Sequence, residues 1–508
     1  MSAGATPRRL GVLGAGTMGS GIAEVGARAG LPTVLCDPVA GAAQRGLGLL
    51  RGSLSRAVDR GRIASADADA ALERVAPASR IEDLLECDLV IEAAPEDLAL
   101  KRSAFATLDA GCAPDAILAT NTSSIPVTSI AAACARPERV IGLHFFNPVP
   151  VMRLLEVVPA EQTAPATTVA ALEIARLLGK QAVVAADLPG FLVNRCGRPY
   201  YAESLQVVTE RVATPAQVDR ICRLGAGFRM GPFELMDLVG TDVALDVMRS
   251  FAERSSGEPR WRPSPLHARL VAAGRLGRKS GHGWHPYDAG AGPEPAPRPP
   301  RPSVAGLRLR VVGRGPVGAR LRAAAEEAGA ALVDDPEAVA FLVDDAAGAD
   351  APLAAVRVRS CAAASLVGLG DPGAVGLGLA PGPLAEVAAT GATDPAAVAL
   401  ASRLLVGLGF HVEEVRDGPG LVLDRILAQV VNEACFAVGE GVGSAEDVDR
   451  GATLGLNYPR GPIAWGSDLG FPRVRATLDG LWRERRQERY RPAPALVEAA
   501  LTGALRVG

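Results

Sequence analysis

Residues 10–19 read Leu10-Gly11-Val12-Leu13-Gly14-Ala15-Gly16-Thr17-Met18-Gly19: an apolar run the length of a buried strand, then a G-x-G-x-x-G turn. A helix rich in small residues follows, and the next apolar run, 33–36, closes on Asp37, 23 residues after Gly14. The three glycines have separate uses. The first allows a tight turn, the second lets the backbone approach a pyrophosphate, and the third lets the helix sit close to the strand. A pyrophosphate can then rest on the amides of the helix N-terminus, while an acid ending the second strand accepts from the adenosine ribose. The turn alone is weak evidence, because tight turns need no ligand. Strand, turn, helix and acid in register predict a dinucleotide site built from Gly14, Ala15, Gly16, Thr17, Met18, Gly19 and Asp37. Asp37 repels a 2′-phosphate and no arginine directly follows it, so the expected cofactor is NAD and not NADP.

The same alternation of apolar runs and helical stretches continues, with strands expected at 10–13, 33–36, 88–93, 117–120, 140–143, 155–158 and 182–185. Strand and helix in turn imply an α/β fold of the Rossmann type, a mainly parallel, doubly wound sheet with helices on both faces. After Asp187-Leu188-Pro189-Gly190 the pattern becomes purely helical as far as Trp284, which predicts an all-α domain. Residues 288–303 carry prolines at 293, 295, 297, 299, 300 and 302 and read as a stiff, extended linker. Beyond it the chain repeats. Setting 187–240 against 417–470, a shift of 230 without a gap, gives sixteen identities, among them Gly190/Gly420, Arg195/Arg425, Glu203/Glu433 and Gly225/Gly455. Ahead of that second helical copy, Val311-Val312-Gly313-Arg314-Gly315-Pro316-Val317-Gly318 has the look of the first strand and turn. The expected domains are therefore 1–187 (NAD-binding), 188–287 (helical), the linker 288–303, 304–416 (a degenerate Rossmann-like copy) and 417–508 (a second helical copy).

Composition narrows the class. A chain of 508 residues is too long for one core and suggests about three or four domains. Its net charge is −3 with the basic residues spread throughout, so neither a nucleic-acid partner nor a polybasic membrane surface is indicated. The eight cysteines are scattered without a C-x-x-C pair, which fits reduced thiols rather than disulfides or a zinc site, and no metal is expected. Arg8 and Arg9 lead into a glycine-rich strand and not a signal peptide, and no apolar run reaches the about 18 residues of a membrane span. A cytoplasmic enzyme is the expectation.

Ligands of open parallel sheets gather outside the carboxyl ends of the strands. Here those ends run into Pro95-Glu96 and Lys101, into Asn121-Thr122-Ser123-Ser124, and into His144-Phe145-Phe146-Asn147-Pro148. Singly, the first serine-rich stretch could be a helix cap before Pro126 and the histidine a plain core residue; together they converge on one sheet edge. Glu156 lies inside the apolar run Leu154-Leu155-Glu156-Val157-Val158, where an unpaired carboxylate costs several kcal/mol, so it needs a partner. His144 is the natural candidate, because the strand that reaches it turns and returns with Glu156. An imidazole held by a carboxylate can accept an alcohol proton while hydride leaves for a nicotinamide. The bland reading of the pair is a buried ion pair without chemistry.

Asn121-Thr122-Ser123-Ser124, the stretch Gly142-Leu143-His144-Phe145-Phe146-Asn147-Pro148, Pro189-Gly190-Phe191 with Asn194-Arg195, and Gly231-Pro232-Phe233-Glu234 with Asp237 resemble the L-3-hydroxyacyl-CoA dehydrogenases over nearly all of 8–288. The resemblance implies that His144 is the catalytic base, Glu156 its orienting partner, and that Ser123 and Asn194 hold an acyl-CoA substrate. It extends the cofactor contacts to Glu96, Lys101, Ser123, Asn147 and Lys279, and assigns CoA contacts to Ser53 and Arg60, an arginine where a lysine is usual. The doubled length and the C-terminal motifs Asn457-Tyr458-Pro459-Arg460-Gly461-Pro462, Trp465-Gly466 and Glu488-Arg489-Tyr490-Arg491-Pro492 are similar to bacterial dehydrogenases of phenylacetate degradation that act on 3-hydroxyadipyl-CoA. That places the reaction in β-oxidation-like chemistry, with 3-hydroxybutyryl-CoA the other expected substrate. Competing readings are an NAD-dependent dehydrogenase of a free hydroxy acid or sugar acid, which would use the same dyad, and an NAD-binding protein without turnover.

The second half is expected to be silent. Aligning Val375-Gly376-Leu377-Gly378 with Ile141-Gly142-Leu143-His144 puts Gly378 where the base belongs; Glu386 matches Glu156, and Asp424 replaces Asn194. Since two-domain members of the resembled family pair through their helical domains, residues 417–508 are expected to supply the surface a second subunit supplies there, and a homodimer of the whole chain stays open.

Overall fold

Four buried apolar residues at 10–13 form the third strand from one edge of an eight-stranded sheet. The computed structural model describes residues 7–287, 292–293, 300–334, 338–343 and 356–505, so most of the expected linker at 288–303 lies outside the described residues. The chain divides into two compact units, Met1–Arg195 with Glu440–Leu456, and Cys196–Gly439 with Asn457–Gly508.

In the first unit, β1 (Leu10–Leu13), β2 (Thr33–Cys36), β3 (Val75–Ala78), β4 (Leu89–Glu92), β5 (Ile117–Thr120), β6 (Val140–Phe145), β7 (Leu154–Pro159) and β8 (Gln181–Val184) lie in the order β3-β2-β1-β4-β5-β6-β7-β8. Every pairing is parallel except β6 with β7. The chain order reverses between β2 and β4 on either side of β1, the switch point at which such sheets bind ligands. β1, β2, β4 and β5 are buried along their whole length, as strands covered on both faces must be, and this explains their unbroken apolar runs. Two departures from the expected strands have physical causes. β3, Val-Ala-Pro-Ala, has neither an apolar run nor alternation; it is an edge strand, the one place where a proline is tolerated in a ladder. β6 runs on to Phe145 because it has β7 to pair with, so His144 sits inside a strand and not after one.

The sequence repeat and the compact units are divided differently, because residues 440–456 of the second copy belong to the first unit. There the helix Ala445–Gly455 lies against β7 and β8, and Ala186 N–H donates to Val442 O (2.8 Å). Gly455 permits the approach: a Cβ there would stand 2.7 Å from Leu154 Cδ2 and 2.9 Å from Val193 Cγ1. Glu440 of the same segment pairs with Arg195 at 2.7 Å.

The second unit contains the worn sheet: β9 (Arg308–Val312), β10 (Ala331–Leu332), β11 (Val339–Leu342), β12 (Val356–Ser360), β13 (Val375–Leu379), β14 (Leu384–Ala389) and β15 (His411–Arg416), in the order β10-β9-β11-β12-β13-β14-β15. Again one pairing is antiparallel, β13 with β14. The helix Pro215–Ala226, from the first copy, lies against β14 and β15, and Arg220 grips Glu413 through two bonds of 2.6 and 3.0 Å. Gly225, at the 230 shift from Gly455, approaches Leu423 Cδ2 (2.6 Å from its missing Cβ) and Leu384 Cδ2 (3.0 Å), the counterparts of Val193 and Leu154. Arg425 pairs with Glu210 at 2.7 Å, as its counterpart Arg195 does with Glu440. Each copy thus lends a helix to the other copy's sheet, the reciprocity of an isologous interface written into one chain.

Gly455→Val is expected to lose about 1–3 kcal/mol of stability through overpacking against Leu154 and Val193. Gly48→Ala, in a helix position with nothing within 4 Å, should instead gain about 0.5–1 kcal/mol. Urea unfolding of both variants checks the pair; equal effects would show that the borrowed helix is not closely packed.

Candidate functional site

At the carboxyl end of β4 a carboxylate closes an apolar strand. Glu92 is fully buried, and it accepts from Lys101 Nζ (2.6 Å), Thr120 Oγ1 (2.7 Å) and the Ala94 amide (2.6 Å). Lys101 is itself 1 % exposed and also lies 3.4 Å from Glu96. The burial of this lysine is offset by two carboxylates, and the group ties the ends of β4 and β5 together. Glu96 in turn collects the serine-rich turn, accepting from Thr122 Oγ1 (2.6 Å), Ser124 Oγ (2.7 Å) and the Ser123 and Ser124 amides (3.2 and 3.1 Å). Burial would push the Glu96 carboxyl up, but the bonds from Thr122 and Ser124 and the Lys101 charge outweigh it and hold it below the usual range. Asn121 Oδ1 accepts from the Phe145 amide (2.8 Å), so β6 is tied to the same turn.

On β6 and β7, His144 and Glu156 are direct cross-strand partners. Their side chains meet at 2.6 Å, Nδ1 to Oε2. The other carboxylate oxygen accepts from the Leu192 and Val193 amides at 3.0 and 2.8 Å. Glu156 is wholly buried, and both of its carboxylate oxygens are hydrogen-bonded. Phe146 and Phe191 flank the imidazole, with ring centroids 4.7 and 5.7 Å away. With Nδ1 committed to the carboxylate, Nε2 is left for chemistry. A cavity of about 370 Å³ opens beside it, lined by Met18, Glu96, Lys101, Ser123, Asn147 and Asn194 among others.

The glycine turn fits a dinucleotide. Gly14 has φ +103° and no room for a Cβ, which would stand 2.5 Å from Ala93 O; at Gly19 it would stand 1.7 Å from Gly14 O. Gly16 has nothing within 4 Å, an open cradle where a phosphate can reach the backbone. The helix Thr17–Arg28 that follows has no side-chain cap and no acid in its first turn, so its amides are left for an anion. Asp37 accepts from the Ala15 and Val39 amides (2.9 and 3.0 Å); it shapes the turn and keeps further acceptor capacity for a ribose hydroxyl.

Of the expected site residues, the structure brings His144, Ser123, Asn194, Glu96, Lys101, Asn147 and Met18 to one cavity, with Glu156 behind the histidine. Gly14, Ala15, Gly16, Thr17, Gly19 and Asp37 form the turn beside β1. Ser53 and Arg60 are not among the cavity residues: Ser53 is half-buried within the helix Ala42–Asp59, and Arg60 is exposed at its end. Lys279 belongs to the second unit and pairs with Asp242 at 2.6 Å. Sequence reasoning missed Glu92, although the signal that exposed Glu156, a carboxylate in an apolar strand, was equally present there.

The second copy keeps the frame without the base. Gly378 stands opposite Glu386, as His144 stands opposite Glu156. Glu386 accepts from the Val422 and Leu423 amides at 2.8 and 3.1 Å. Leu421 repeats the left-handed backbone of Phe191, with φ 44° against 48°. By register Ser360-Cys361-Ala362-Ala363 occupies the place of Asn121-Thr122-Ser123-Ser124, and Asp424, in place of Asn194, pairs with Arg473 at 2.7 Å. Burial without an imidazole pushes the Glu386 carboxyl up to about 8 despite its two amides.

Residues 9–188 match the 3-hydroxyacyl-CoA dehydrogenase NAD binding domain, and residues 190–287 and 420–507 both match the 3-hydroxyacyl-CoA dehydrogenase C-terminal domain. The 3-hydroxyadipyl-CoA dehydrogenase of Escherichia coli (strain K12) is 38% identical over 490 residues, 96% of this chain and 97% of that protein. The 3-hydroxybutyryl-CoA dehydrogenase of Mycobacterium tuberculosis (strain H37Rv) is 43% identical over 282 residues, 55% of this chain and 98% of its own. Among solved structures, the 3-hydroxybutyryl-CoA dehydrogenase of Escherichia coli K12 (substrain MG1655) superposes with a TM-score of 0.83 at 36% identity, covering 98% of this chain and 99% of that one.

The frame of the second copy predicts a pH effect. Glu386 titrates near 8 in the folded chain against 4.5 for the unperturbed group. Its favourable contribution is therefore complete below about pH 4.5 and is lost as pH rises through 8. Glu386→Gln, which cannot ionise, should match wild type near pH 5 and become more stable than it as pH rises to 8, by on the order of a few kcal/mol. Denaturant midpoints across that range check this; a constant offset would mean that Glu386 does not titrate there.

Proposed function

The chain belongs to the 3-hydroxyacyl-CoA dehydrogenase family, and from that premise we propose that His144 and Glu156 carry its reaction in the cavity shared with Ser123 and Asn194. The activity is NAD-dependent oxidation of an L-3-hydroxyacyl-CoA to the 3-oxoacyl-CoA. The observation that carries the assignment of residues is the 2.6 Å bond from a buried, doubly amide-held carboxylate to the one imidazole facing the cavity.

His144 Nε2 accepts the proton of the 3-hydroxyl as the C3–H bond breaks, and the imidazolium that results is stabilised by Glu156. The 14–19 turn and Asp37 would hold NAD, which when bound would supply the acceptor for the hydride. Ser123 and Asn194 hold the substrate oxygens, which fixes C3 and its hydroxyl relative to Nε2. Glu96 and Lys101 keep the serine turn in place, with Asn147 as a further contact beside the cofactor. In this reading 1–187 binds the cofactor, 188–287 is the helical domain with Lys279, 304–416 and 417–508 are their silent repeat, and Ser53 and Arg60 lie on the CoA side. From its relatives' names, we assign a short or dicarboxylic acyl chain, 3-hydroxybutyryl-CoA or 3-hydroxyadipyl-CoA. We place the enzyme in the cytoplasm, in keeping with its eight free cysteines, and leave a homodimer open to direct measurement. No helix among the described residues is long and apolar enough to cross a membrane.

NADH formation against a panel of 3-hydroxyacyl-CoA esters tests the activity and ranks the chains. His144→Ala should lower turnover by about 10²–10⁴ with little change in NADH binding. Turnover within threefold of wild type would sink the assignment of the base. Glu156→Gln should also slow turnover, because the imidazole loses its charged orienter, and it should do so through kcat more than KM. Asp37→Ser should relax the preference for NAD over NADP, read as the ratio of kcat/KM with the two cofactors.

A further inference from the structure

A cavity larger than the catalytic one lies in the second copy. A cleft of about 930 Å³ lies in the second unit at the carboxyl ends of β12 and β13, the position relative to its own sheet that the catalytic cavity holds in the first. Ser360 ends β12, Leu379 ends β13, and both line it. It has lost the base, since Gly378 carries no side chain, but it has not collapsed.

Its chemistry has changed in one direction. Four arginines, Arg320, Arg460, Arg473 and Arg483, line the cleft with a single acid, Asp468. The catalytic cavity balances Glu96 against Lys101. At the 230 shift, Arg460, Arg473 and Arg483 stand where the first copy has Met230, Val243 and Glu253, and Arg320 matches Gly21 when the two glycine turns are aligned. Arg320 is anchored by donating to the Ala380 and Gly382 carbonyls. Arg460 pairs with Asp468 and Arg473 with Asp424, each at 2.7 Å, while Arg483 is exposed and has no ion pair among the described residues. Between the arginines the walls are apolar, with Leu379 on the sheet side and Trp465 on the helical side.

The cleft is not a second dinucleotide site. Arg322 fills the glycine turn, donating to Gly313 O (2.7 Å) and Val311 O (3.1 Å). Pro316, in the place of Thr17, has no amide proton, so the helix N-terminus presents one donor fewer to a phosphate. Anion binding has passed from helix amides to arginine side chains, which match phosphate and carboxylate oxygens with paired donors.

A cleft with apolar walls and an arginine rim selects a polyanion that carries an apolar chain. We propose that this second cleft binds the CoA thioester of an acyl chain and holds it without turnover. The proposal rests on the reading of the first copy as an acyl-CoA site, because that substrate class has both parts, phosphates for the arginines and an acyl chain for the walls. No bond is made or broken: Gly378 offers no base, and the site is one of binding alone.

The probe is butyryl-CoA, which lacks the 3-hydroxyl and cannot be oxidised by the first site. Calorimetric titration of the full-length protein should give two butyryl-CoA per chain. Charge reversal in the double variant Arg460→Glu/Arg483→Glu should weaken one of them at least tenfold and leave NADH formation within twofold of wild type. Ala476→Trp, which fills the cleft without changing charge, should remove the same site; it guards against a charge variant that fails to fold. Free CoA and free butyrate, titrated separately, should each bind the second site more weakly than the thioester. One site per chain in wild type, a second site indifferent to both variants, or CoA or butyrate binding there as tightly as butyryl-CoA would overturn the proposal. Because butyryl-CoA binding is read without turnover, its outcome is separate from that of the NADH assay, which alone decides the first site.

Discussion

The structure turns on one buried carboxylate. Glu156 sits in a strand, is wholly buried, and satisfies both oxygens at once, one on the His144 imidazole and the other on the Leu192 and Val193 amides. Those amides open the helix Val193–Thr209, so a single side chain fixes where the sheet ends, where the helical segment begins and where the imidazole points. Leaving such a group unpaired would cost more than almost any single apolar contact returns. The second copy separates the two duties. Glu386 keeps both amides and has no histidine, which shows that joining strand to helix is a role the carboxylate performs without catalysis. It meets the missing charge partner by taking up a proton more readily, as its shift to about 8 records.

Close approach between the copies follows from the same region. Val193, whose amide holds Glu156, is also the side chain against which Gly455 is packed, and Leu154 two residues before Glu156 is the other. The lent helix therefore buttresses the strand and turn that hold the dyad. Glycine at 455, and at 225 in the reciprocal contact, is required by backbone proximity alone, since both positions lie in ordinary helices. This gives a reason for keeping a half that has lost its base: what it supplies to the first site is packing, and packing survives substitutions that end chemistry.

Much of the fold was legible because β1, β2, β4 and β5 are buried on both faces and so read as unbroken apolar runs. β1, β2 and β5 fall on the residues their sequence indicates. The edge strand β3 was not legible, because Val-Ala-Pro-Ala buries only its first residue fully and pairing with β2 decides its conformation. The exchange of helices could not be read either. A shift of 230 shows that a helical copy exists but not which sheet it covers, and the division of the chain at Arg195 and Glu440 depends on contacts between residues more than two hundred positions apart.

The site divides in the same way. The residues proposed to contact ligands, the glycine turn, Ser123, His144 and Asn194, are carried by local patterns and could be named from the chain. The residues that hold them are less visible, because their partners come from different strands. Lys101 is the instructive case. Its place in the cavity agrees with a cofactor contact, but its ammonium is already bonded to Glu92 and lies near Glu96, so its charge is mostly consumed inside the protein. With the bonds from Thr122 and Ser124, its charge helps hold the Glu96 carboxyl below the usual range, and Glu96 gathers the Ser123 and Ser124 amides. The serine turn that lines the cavity is thus set in part by an ion pair at the end of β4, one strand away. In the second copy the turn reads Ser360-Cys361-Ala362-Ala363 and has lost the hydroxyls of Thr122, Ser123 and Ser124, yet it leads into an anchor both copies share: Asp417 accepts from the Leu366 amide at 2.9 Å, as Asp187 does from the Val127 amide at 2.9 Å. A turn so held can keep its cleft open after its chemistry has gone.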